Sequence, residues 1–417
     1  MNFEIIEKYE SSVRGYSRAF PAVFSKARQS IVCDTDGKKY VDFFSGAGSL
    51  NYGHNHPVMK RAMIDYLQDD GIIHGLDMAT EAKIAFIDTF QKQILQPRSL
   101  DYHLQFTGPT GANAVEAALK LARLATKRSQ IVSFSHAFHG VSLGALATTS
   151  SSWFRNASGV ELNNVTFLPY EGYVEDFDSL AYFEKLLDDP GSGLDKPAAV
   201  IVEAIQGEGG VNVASAQWLQ RLRIITAGRD ILLIVDDIQA GCGRSGDFFS
   251  FEEAEIVPDL VTLSKSLSAS GLPMSLLLIK PEHDIWKPGQ HNGTFRGNNL
   301  AFVSAEAAIK EFWMDEAFSK EIKRKGKIIH DRLKLMAESF SDLGLLVRGR
   351  GMFCGLVFTK DQNQAKQVAE LAFSKGLIIE LSGSRNEVLK LMPALTIDDS
   401  TLVRGLDIIE ESIKMLA

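Results

Sequence analysis

The chain has 417 residues, 45% hydrophobic and 23% charged, with a formal net charge of −8. This length predicts two or three globular domains, and the acidic balance gives no general electrostatic reason to bind nucleic acid or an acidic membrane surface. Three widely spaced cysteines, no apolar run of the roughly 18 residues that span a bilayer, and an N-terminus without the apolar core of a signal peptide predict a cytoplasmic protein.

Seven short apolar or β-branched runs lie between residues 103 and 280. Several lack polar alternation, which is typical of strands covered on both faces. Helical patterns separate some of them; in NAVEAALKLARLATK, for example, Val115, Ala118, Leu119 and Ala122 share one face. Strands alternating with helices predict a largely parallel, doubly wound sheet. The runs are YHLQFTG, QIVSFS, NVTFLPY, AAVIVEAIQ, DILLIVDDIQ, LVTLSKS and SLLLIKP.

A breaker-rich loop, WKPGQHNGT, closes this region. Beyond it come a long helical pattern, two groups of short strands (LLVRGRGMFCGLVF and GLIIEL) and a final helix near residues 398–416. We therefore predict an N-terminal arm over residues 1–50, a large domain over 51–300 and a smaller α/β domain over 301–417 that the arm joins. In such sheets ligands bind beyond the carboxyl ends of the strands.

The first strand end leads into TGPTGANAVE and a helix. Small residues at a helix N-terminus allow backbone N–H groups and the positive end of the helix dipole to approach a phosphate. The candidates are Thr110, Gly111 and Ala112, and the alternative is an ordinary turn and cap. The stretch is not a Walker A loop, because no Gly-Lys-Ser/Thr follows.

The second strand end carries SHAFHG, in which Phe138 could stack on a flat heterocycle. The alternative is a core phenylalanine beside a hydrogen-bonded histidine, His139. His54 and His56, in GHNH, suggest a histidine-rich metal site, but neither histidine pair has the usual carboxylate or cysteine company. We predict no metal.

The third strand end is ILLIVDDIQAG, which closes a buried run with Asp236 and Asp237. A buried carboxylate needs a cationic partner, and a protonated ring nitrogen would serve and make the ring an electron sink. Equally, both aspartates could cap the next segment. The following GCGRSG matches G-x-G-x-x-G, but no helix pattern opens after it, so dinucleotide binding is not predicted.

The fourth is Lys265, the one charged side chain between Asp259 and Lys280. An unpaired buried lysine tends to lose its proton and become a nucleophile, although a lysine whose head reaches water is the alternative. An amine, a buried carboxylate, an anion cradle and a stacking aromatic together describe a site for pyridoxal 5′-phosphate.

With these residues in place, the chain resembles a class III, or ω-amino-acid, aminotransferase of the type I pyridoxal-phosphate fold over nearly its whole length. The resemblance implies a large domain with a mostly parallel seven-stranded sheet and a smaller α/β domain. Its motifs stand in family order: RGYSRAFPAVFSKA, YVDFFSGAGSLNYGHNHP, FTGPTGANAVEAALKLAR, VEAIQGEGGVNVAS, VDDIQAGCGRSGDFFSFE, LSKSLSASGLPM and HNGTFRGNNLAF.

The resemblance also implies roles for individual residues. Lys265 would bond to the aldehyde of the cofactor and move the proton, and Asp236 would pair with the ring nitrogen. Gln239 would contact the ring hydroxyl, while Phe138 and Ile238 would cover the two ring faces. The implied cofactor-binding set is Thr110, Gly111, Ala112, Phe138, His139, Glu203, Asp236, Ile238, Gln239, Lys265 and Thr294.

In the same comparison, Gly111 and Ala112 would hold the phosphate through backbone N–H groups. Thr294 would contact the phosphate of a neighbouring subunit, so a homodimer or larger assembly with active sites at the interface is expected. Glu203 and Glu208 match the family's two acidic positions. Glu208 matches the one that neutralises an arginine when no α-carboxylate is bound.

Three positions depart from the wider family. Asp237 stands where glutamate is usual, and Ala112 replaces a frequent threonine, whose hydroxyl Thr110 could supply instead. Lys390, in LKLMPALT, stands where many relatives have an arginine that grips the α-carboxylate of glutamate, and lysine does not reproduce that bidentate geometry. A substrate role for Glu208 and Lys390 is therefore a hypothesis.

KPGQHNGTFRGNNLAF and LKLMPALTI resemble most the branch that transfers an amino group from L-glutamate to L-aspartate 4-semialdehyde, giving 2-oxoglutarate and L-2,4-diaminobutyrate. That branch carries out the first step of ectoine biosynthesis. Alternatives are another ω-aminotransferase (for 4-aminobutyrate, ornithine or acetylornithine), an aminomutase of the same fold, which needs no 2-oxoglutarate, and a non-catalytic binding protein. A comparison of rates with the different amino donors separates the aminotransferases from one another. A requirement for 2-oxoglutarate separates them from the aminomutase.

Overall fold

The computed structural model describes residues 3–416. The strands are β1 Phe24–Arg28, β2 Ile31–Asp34, β3 Lys39–Asp42, β4 His103–Phe106, β5 Ile131–Phe134, β6 Val165–Leu168, β7 Ala199–Val202, β8 Ile205–Gln206, β9 Asn212–Val213, β10 Leu232–Asp236, β11 Leu260–Leu263, β12 Leu276–Ile279, β13 Leu345–Arg350, β14 Phe353–Phe358, β15 Leu377–Ile378, β16 Glu380–Ser382 and β17 Val388–Leu391.

The α-helices are α1 Glu4–Tyr9, α2 Tyr16–Ala19, α3 Ser45–Gly48, α4 Pro57–Gln68, α5 Glu81–Phe90, α6 Gly111–Thr126, α7 Leu143–Thr148, α8 Ser152–Arg155, α9 Ser179–Asp188, α10 Ala216–Gly228, α11 Asn299–Phe312, α12 Ala317–Ser339, α13 Asn363–Ser374 and α14 Asp399–Lys414. Short 3₁₀ turns include Lys265–Ser268 and Thr294–Arg296.

The central sheet has seven strands in the order β4-β12-β11-β10-β7-β5-β6. Each of the seven apolar runs supplies one strand. Strand β12 runs antiparallel to both of its neighbours, and the other pairs from β11 to β6 are parallel. Strands β5, β7, β10, β11 and β12 are buried along their whole length, as expected for strands covered on both faces. The predicted mostly parallel seven-stranded sheet is confirmed.

Helix α6 covers this sheet with the face that the sequence predicts. Val115, Ala118, Leu119 and Ala122 are all buried there. Helix α10 ends at Gly228, as its pattern indicates, and the hydroxyl of Ser215 caps its start by accepting the N–H of Trp218 at 3.1 Å. The helices therefore pack as amphipathic layers on the sheet.

Besides a two-stranded sheet of β8 and β9, two four-stranded sheets lie outside the central one. One has the order β1-β2-β3-β15, so a strand near the N-terminus pairs with one near the C-terminus, and the other has the order β13-β14-β17-β16. The run GLIIEL, predicted as one short strand, is divided: Leu377–Ile378 joins β3, and Glu380–Ser382 joins β17. The proposed domain boundaries at residues 50 and 300 stay a prediction.

A fully buried arginine, Arg244, ties these parts together. Its guanidinium donates to the side-chain oxygen of Asn51 at 2.6 and 3.2 Å, to the carbonyl of Met352 at 3.2 Å and to that of Pro393 at 2.6 Å. Burial lowers the pKa of Arg244 to about 9. The side chain therefore joins the loop before α4, the loop after β10 and the segments beside β14 and β17.

The three cysteines are free. Within residues 3–416, no helix is both long enough and apolar enough to cross a membrane.

Candidate active site

The site forms at the carboxyl ends of β10 and β11. These strands are parallel neighbours, and Asp236, the last residue of β10, lies opposite Thr262. The hydroxyl of Thr262 donates to Asp236 Oδ1 at 3.1 Å. Lys265 lies two residues after the end of β11, so the sheet brings the predicted amine and the predicted carboxylate to one edge.

Asp236 is held by a buried histidine. Its Oδ2 lies 2.6 Å from His139 Nδ1, and its Oδ1 also accepts the N–H of Ile238 at 3.2 Å. Burial lowers the pKa of His139, but the hydrogen bond to Asp236 and the charges of Asp236 and Glu203 outweigh it and raise the pKa overall. His139 Nε2 is buried without a hydrogen-bond partner in the described chain. The pair fixes the carboxylate in one orientation.

Lys265 begins the turn Lys265–Ser268 with a left-handed backbone, φ 43°. The turn is held from one side: the hydroxyl of Ser266 donates to the carbonyl of Gly48 at 2.7 Å and accepts the N–H of Asn51 at 3.0 Å. A lysine with positive φ is uncommon and persists only where the surroundings enforce it. Arg244, which binds Asn51, extends this support into the core.

The amine of Lys265 forms no hydrogen bond and no ion pair with another residue in the part of the chain that the structure describes. Burial lowers its pKa, and the charge of Lys390 adds to this, while Glu208, Glu380 and Asp236 oppose it. A lowered pKa is what we expect of a lone ammonium in an apolar stretch.

The start of α6 has the form of an anion cradle. The N–H groups of Gly111 and Ala112 donate to no other described residue. A side chain at Gly111 would meet Ile238 Cδ1 at 2.9 Å, and one at Gly140 would meet Ala112 Cβ at 2.9 Å, so the small residues are required. The Thr110 hydroxyl donates to Asn113 Oδ1 at 2.9 Å, so its proton is committed to the cap. This donor set suits a phosphate.

Phe138 and Glu203 lie beside the cradle. The N–H of Phe138 donates to Glu203 Oε1 at 3.0 Å, and the Phe138 ring meets Phe154 edge-on at 5.3 Å between centroids. Burial raises the pKa of Glu203 to about 7, with His139 opposing the rise and Asp236 adding to it. Glu203 thus orients the segment that carries Phe138.

A second group of charges surrounds Lys390, whose side chain is 0% exposed. Its Nζ lies 2.6 Å from Glu208 Oε1 and 3.0 Å from Glu380 Oε2. Gln239 Nε2 donates to Glu208 Oε1 at 3.2 Å, and the Tyr16 hydroxyl donates to Glu380 Oε1 at 2.7 Å. Burial would raise the pKa of Glu208, but the charges of Lys390 and Lys265 lower it to about 2. We call these five residues the Lys390 cluster.

Other candidates lie elsewhere. Asp237 accepts the N–H of Ser250 at 3.1 and 3.3 Å, and burial raises its pKa to about 7. His54 binds Asp42 at 2.9 Å, whereas the His56 ring meets Phe312. Within residues 3–416, no group of three or more His, Cys, Asp or Glu side chains could hold a metal ion.

Thr294 lies exposed in the turn Thr294–Arg296. In this single chain, its side chain forms no hydrogen bond with another described residue. A contact from Thr294 to the site of a neighbouring subunit stays a prediction.

The sequence analysis did not single out Tyr16, Glu380 or Arg244. Glu380 carried a usable signal, because it is the one charged residue in GLIIELSG, just as Lys265 is alone in its stretch. Tyr16 and Arg244 gave no such signal, since long-range pairing alone brings them to the site.

The chain belongs to the class-III aminotransferase family, whose model matches residues 13–413. It is 58% identical over 414 residues to the diaminobutyrate–2-oxoglutarate transaminase of Bordetella parapertussis, covering 99% of this chain and 95% of the relative. It is 53% identical over 418 residues to the enzyme of that name from Halomonas elongata, covering 99% of both.

Solved structures show the same fold. The ornithine aminotransferase of Toxoplasma gondii matches with a TM-score of 0.85 at 26% identity, covering 99% of this chain and 94% of that one. An S-selective transaminase from Arthrobacter sp. matches with a TM-score of 0.88 at 22% identity, covering 100% and 98%. The cofactor of the family is pyridoxal phosphate, and the cradle at Gly111, the Asp236 carboxylate and the unpartnered Lys265 amine fit its phosphate, ring nitrogen and aldehyde.

We predict that Lys265→Met stabilises the cofactor-free protein at pH 7, because it removes a half-buried charge that has no partner among the described residues. The folded state releases the Lys265 proton below the ordinary pKa of 10.5. In that window the unfolded chain binds more protons, so the wild type gains stability as pH rises. Urea unfolding from pH 7 to 10.5 should show that the difference in free energy of unfolding between Lys265→Met and the wild type becomes smaller.

Lys60→Met, at an exposed position of α4, is the matched control and should show no narrowing. If the difference in free energy of unfolding between Lys265→Met and the wild type did not change with pH, the lowered pKa of Lys265 would be contradicted.

Proposed function

We propose that this chain transfers an amino group between the pair L-glutamate/2-oxoglutarate and the pair L-2,4-diaminobutyrate/L-aspartate 4-semialdehyde. The observation that carries the proposal is the unpartnered Lys265 amine beside Asp236, at the edge of the sheet where the phosphate cradle also opens. The relatives named diaminobutyrate–2-oxoglutarate transaminase, 50–58% identical over nearly the whole chain, support the substrate pair. The first step of ectoine biosynthesis is the corresponding role.

The proposed cofactor contacts follow from the donor sets. The free N–H groups of Gly111 and Ala112 bind the phosphate, and Asp236, fixed by His139, pairs with the ring nitrogen. Phe138, positioned by Glu203, and Ile238, which packs against Gly111, cover the ring faces. Thr110 positions Asn113 at the start of α6, and Gln239, whose amide donates to Glu208, would contact the ring hydroxyl.

When bound, pyridoxal phosphate supplies the electron sink that accepts the electron pair released at the amine-bearing carbon. Lys265 takes the proton from that carbon and returns it, because its amine is held neutral more readily than a solvated lysine. Asp236 keeps the ring nitrogen protonated. Two half-reactions share this site in turn, so ping-pong kinetics are expected.

The α-carboxylate of glutamate has no free cation at Lys390. That side chain is 0% exposed and lies between two carboxylates. A contact between Lys390 and glutamate therefore requires Glu208 to move aside, and Glu208 is the exposed partner, at 29%. We propose Glu208 and Lys390 as substrate contacts on this basis.

We also propose a cytoplasmic homodimer or larger assembly, with Thr294 reaching the neighbouring site. The free cysteines suit a reducing compartment. Phe295, beside Thr294, is 68% exposed in the single chain, so its ring is available to a neighbouring subunit. Light scattering that gave the mass of one chain would contradict the assembly.

The visible absorption spectrum of the purified holoenzyme tests the proposed reaction. L-2,4-Diaminobutyrate should bleach the cofactor band, and 2-oxoglutarate added afterwards should restore it. L-Ornithine, N-acetyl-L-ornithine and 4-aminobutyrate serve as comparison donors and should react more slowly.

A band that does not respond to diaminobutyrate but responds to another of these donors would reassign the substrate. Turnover of an amino acid without any requirement for 2-oxoglutarate would instead indicate an aminomutase.

We expect Asp236→Asn to lower kcat by about a hundredfold or more, because a neutral amide no longer stabilises a protonated ring nitrogen. Asp237→Asn is the matched control on the adjacent residue. Its amide oxygen can still accept the Ser250 N–H, and the native carboxyl, with a pKa of about 7, is already partly protonated at neutral pH. Its kcat should change by less than about threefold. Equal losses in the two variants would contradict the assigned role of Asp236.

A further inference from the structure

The Lys390 cluster contains more negative than positive charge. Two carboxylates, Glu208 and Glu380, contact one ammonium, that of Lys390. Tyr16 stays a neutral phenol, because burial and the charges of Glu380 and Glu208 raise its pKa far above the ordinary value, and the Gln239 amide is uncharged. A pair of Glu208 with Lys390 alone would be neutral, so an ionised Glu380 adds the excess charge. Burial raises the pKa of Glu380, and a further positive charge nearby would favour its ionised form.

Glu380 is also incompletely satisfied. Its side chain is 6% exposed, and Oε2 is buried and accepts no hydrogen bond, although it lies 3.0 Å from Lys390 Nζ. The hydrogen bond of Lys390 goes to Glu208 instead, at 2.6 Å. A buried carboxylate in this state is costly unless a further positive charge comes near.

Two members of the cluster are open to a ligand. Glu208 is 29% exposed, and the charge of Lys265 acts on it, so it faces the reacting end of the site. Tyr16 is 51% exposed and lines a cavity of about 490 Å³ together with Phe44 and Gly46. Its hydroxyl proton is committed to Glu380, so the phenol oxygen is left as an acceptor.

We infer that the Lys390 cluster is the subsite for the second, non-reacting ammonium group of a diamino acid substrate, and that Glu380 sets this specificity. The inference deepens the proposed function and rests on it. L-2,4-Diaminobutyrate carries two amino groups separated by three carbon atoms, so one reaches the Lys265 end while the other remains to be bound. Glu208 and the Tyr16 oxygen are the acceptors that it meets.

Glu380 is a positioning residue in this arrangement. It neutralises Lys390 from the buried side, which leaves the charge of Glu208 available, and it takes the Tyr16 proton, which leaves the phenol oxygen as an acceptor. In Glu380→Gln, Lys390 would be neutralised by Glu208 alone, and Tyr16 would no longer face a charged acceptor. Glu208 and the Tyr16 oxygen would then both attract a cation less strongly.

Single-turnover rates of the holoenzyme with two matched amines test this inference. L-2,4-Diaminobutyrate and 4-aminobutyrate have the same chain length and reacting amine and differ in the α-ammonium group. We expect Glu380→Gln to lower the second-order rate with diaminobutyrate by about tenfold or more relative to 4-aminobutyrate. The half-reaction with 4-aminobutyrate, which has no second ammonium, should change by less than about threefold.

Glu370→Gln is the control: an exposed glutamate of α13 is replaced in the same way, which should leave both rates unchanged. Tyr16→Phe keeps the ring contact with Phe44, 4.9 Å between centroids, and should shift the same ratio in the same direction. It also tests the inference if Glu380→Gln does not fold.

Equal losses with both amines in Glu380→Gln, or a diaminobutyrate to 4-aminobutyrate ratio that does not move in Tyr16→Phe, would overturn the inference. If the wild type reacts with L-ornithine and not with diaminobutyrate, the proposed substrate fails, and the matched pair becomes L-ornithine and 5-aminopentanoate. Failure of every diamino acid in the wild type would overturn both.

Discussion

The structure depends on keeping one amine, that of Lys265, without a partner at the edge of a buried sheet. An isolated charge in an apolar setting is costly, so the protein must hold this side chain in place by other means. It does so through the left-handed turn at Lys265, which Ser266 fastens to Gly48 and Asn51, and through Arg244, which fastens Asn51 to the core. The proposed bond between this amine and the aldehyde of the cofactor would account for that cost.

Charge is distributed around this amine in two groups. Asp236 and His139 form a buried, hydrogen-bonded pair whose carboxylate also accepts the hydroxyl of Thr262, which suits a fixed electrostatic task at the ring nitrogen. The Lys390 cluster is different, because it has an excess carboxylate and two exposed members. A buried, hydrogen-bonded pair favours precise orientation. A partly exposed cluster with two carboxylates and one ammonium favours the reversible binding of a charged ligand. The two groups thus fit a cofactor that stays and substrates that exchange.

Much of this architecture could be predicted from the sequence because the central strands are covered on both faces. Their apolar runs are distinct, and a lone Asp236 or Lys265 at the end of such a run stands out. Glu380 carries the same signal, but the run before it was interpreted as one strand, whereas Leu377–Ile378 and Glu380–Ser382 join different sheets. Tyr16 could not be found this way, since it meets Glu380 from 364 positions away along the chain.

The central claim is that Lys265 is the residue that bonds to the cofactor. Borohydride reduction of the holoenzyme, followed by proteolysis and mass spectrometry, tests it most directly, because reduction makes the bond permanent and the modified peptide can be sequenced. We expect a single pyridoxyl group, on Lys265 in the stretch LVTLSKSLSASGLPM. A pyridoxyl group on another lysine, or none after reconstitution with pyridoxal phosphate, would contradict the claim.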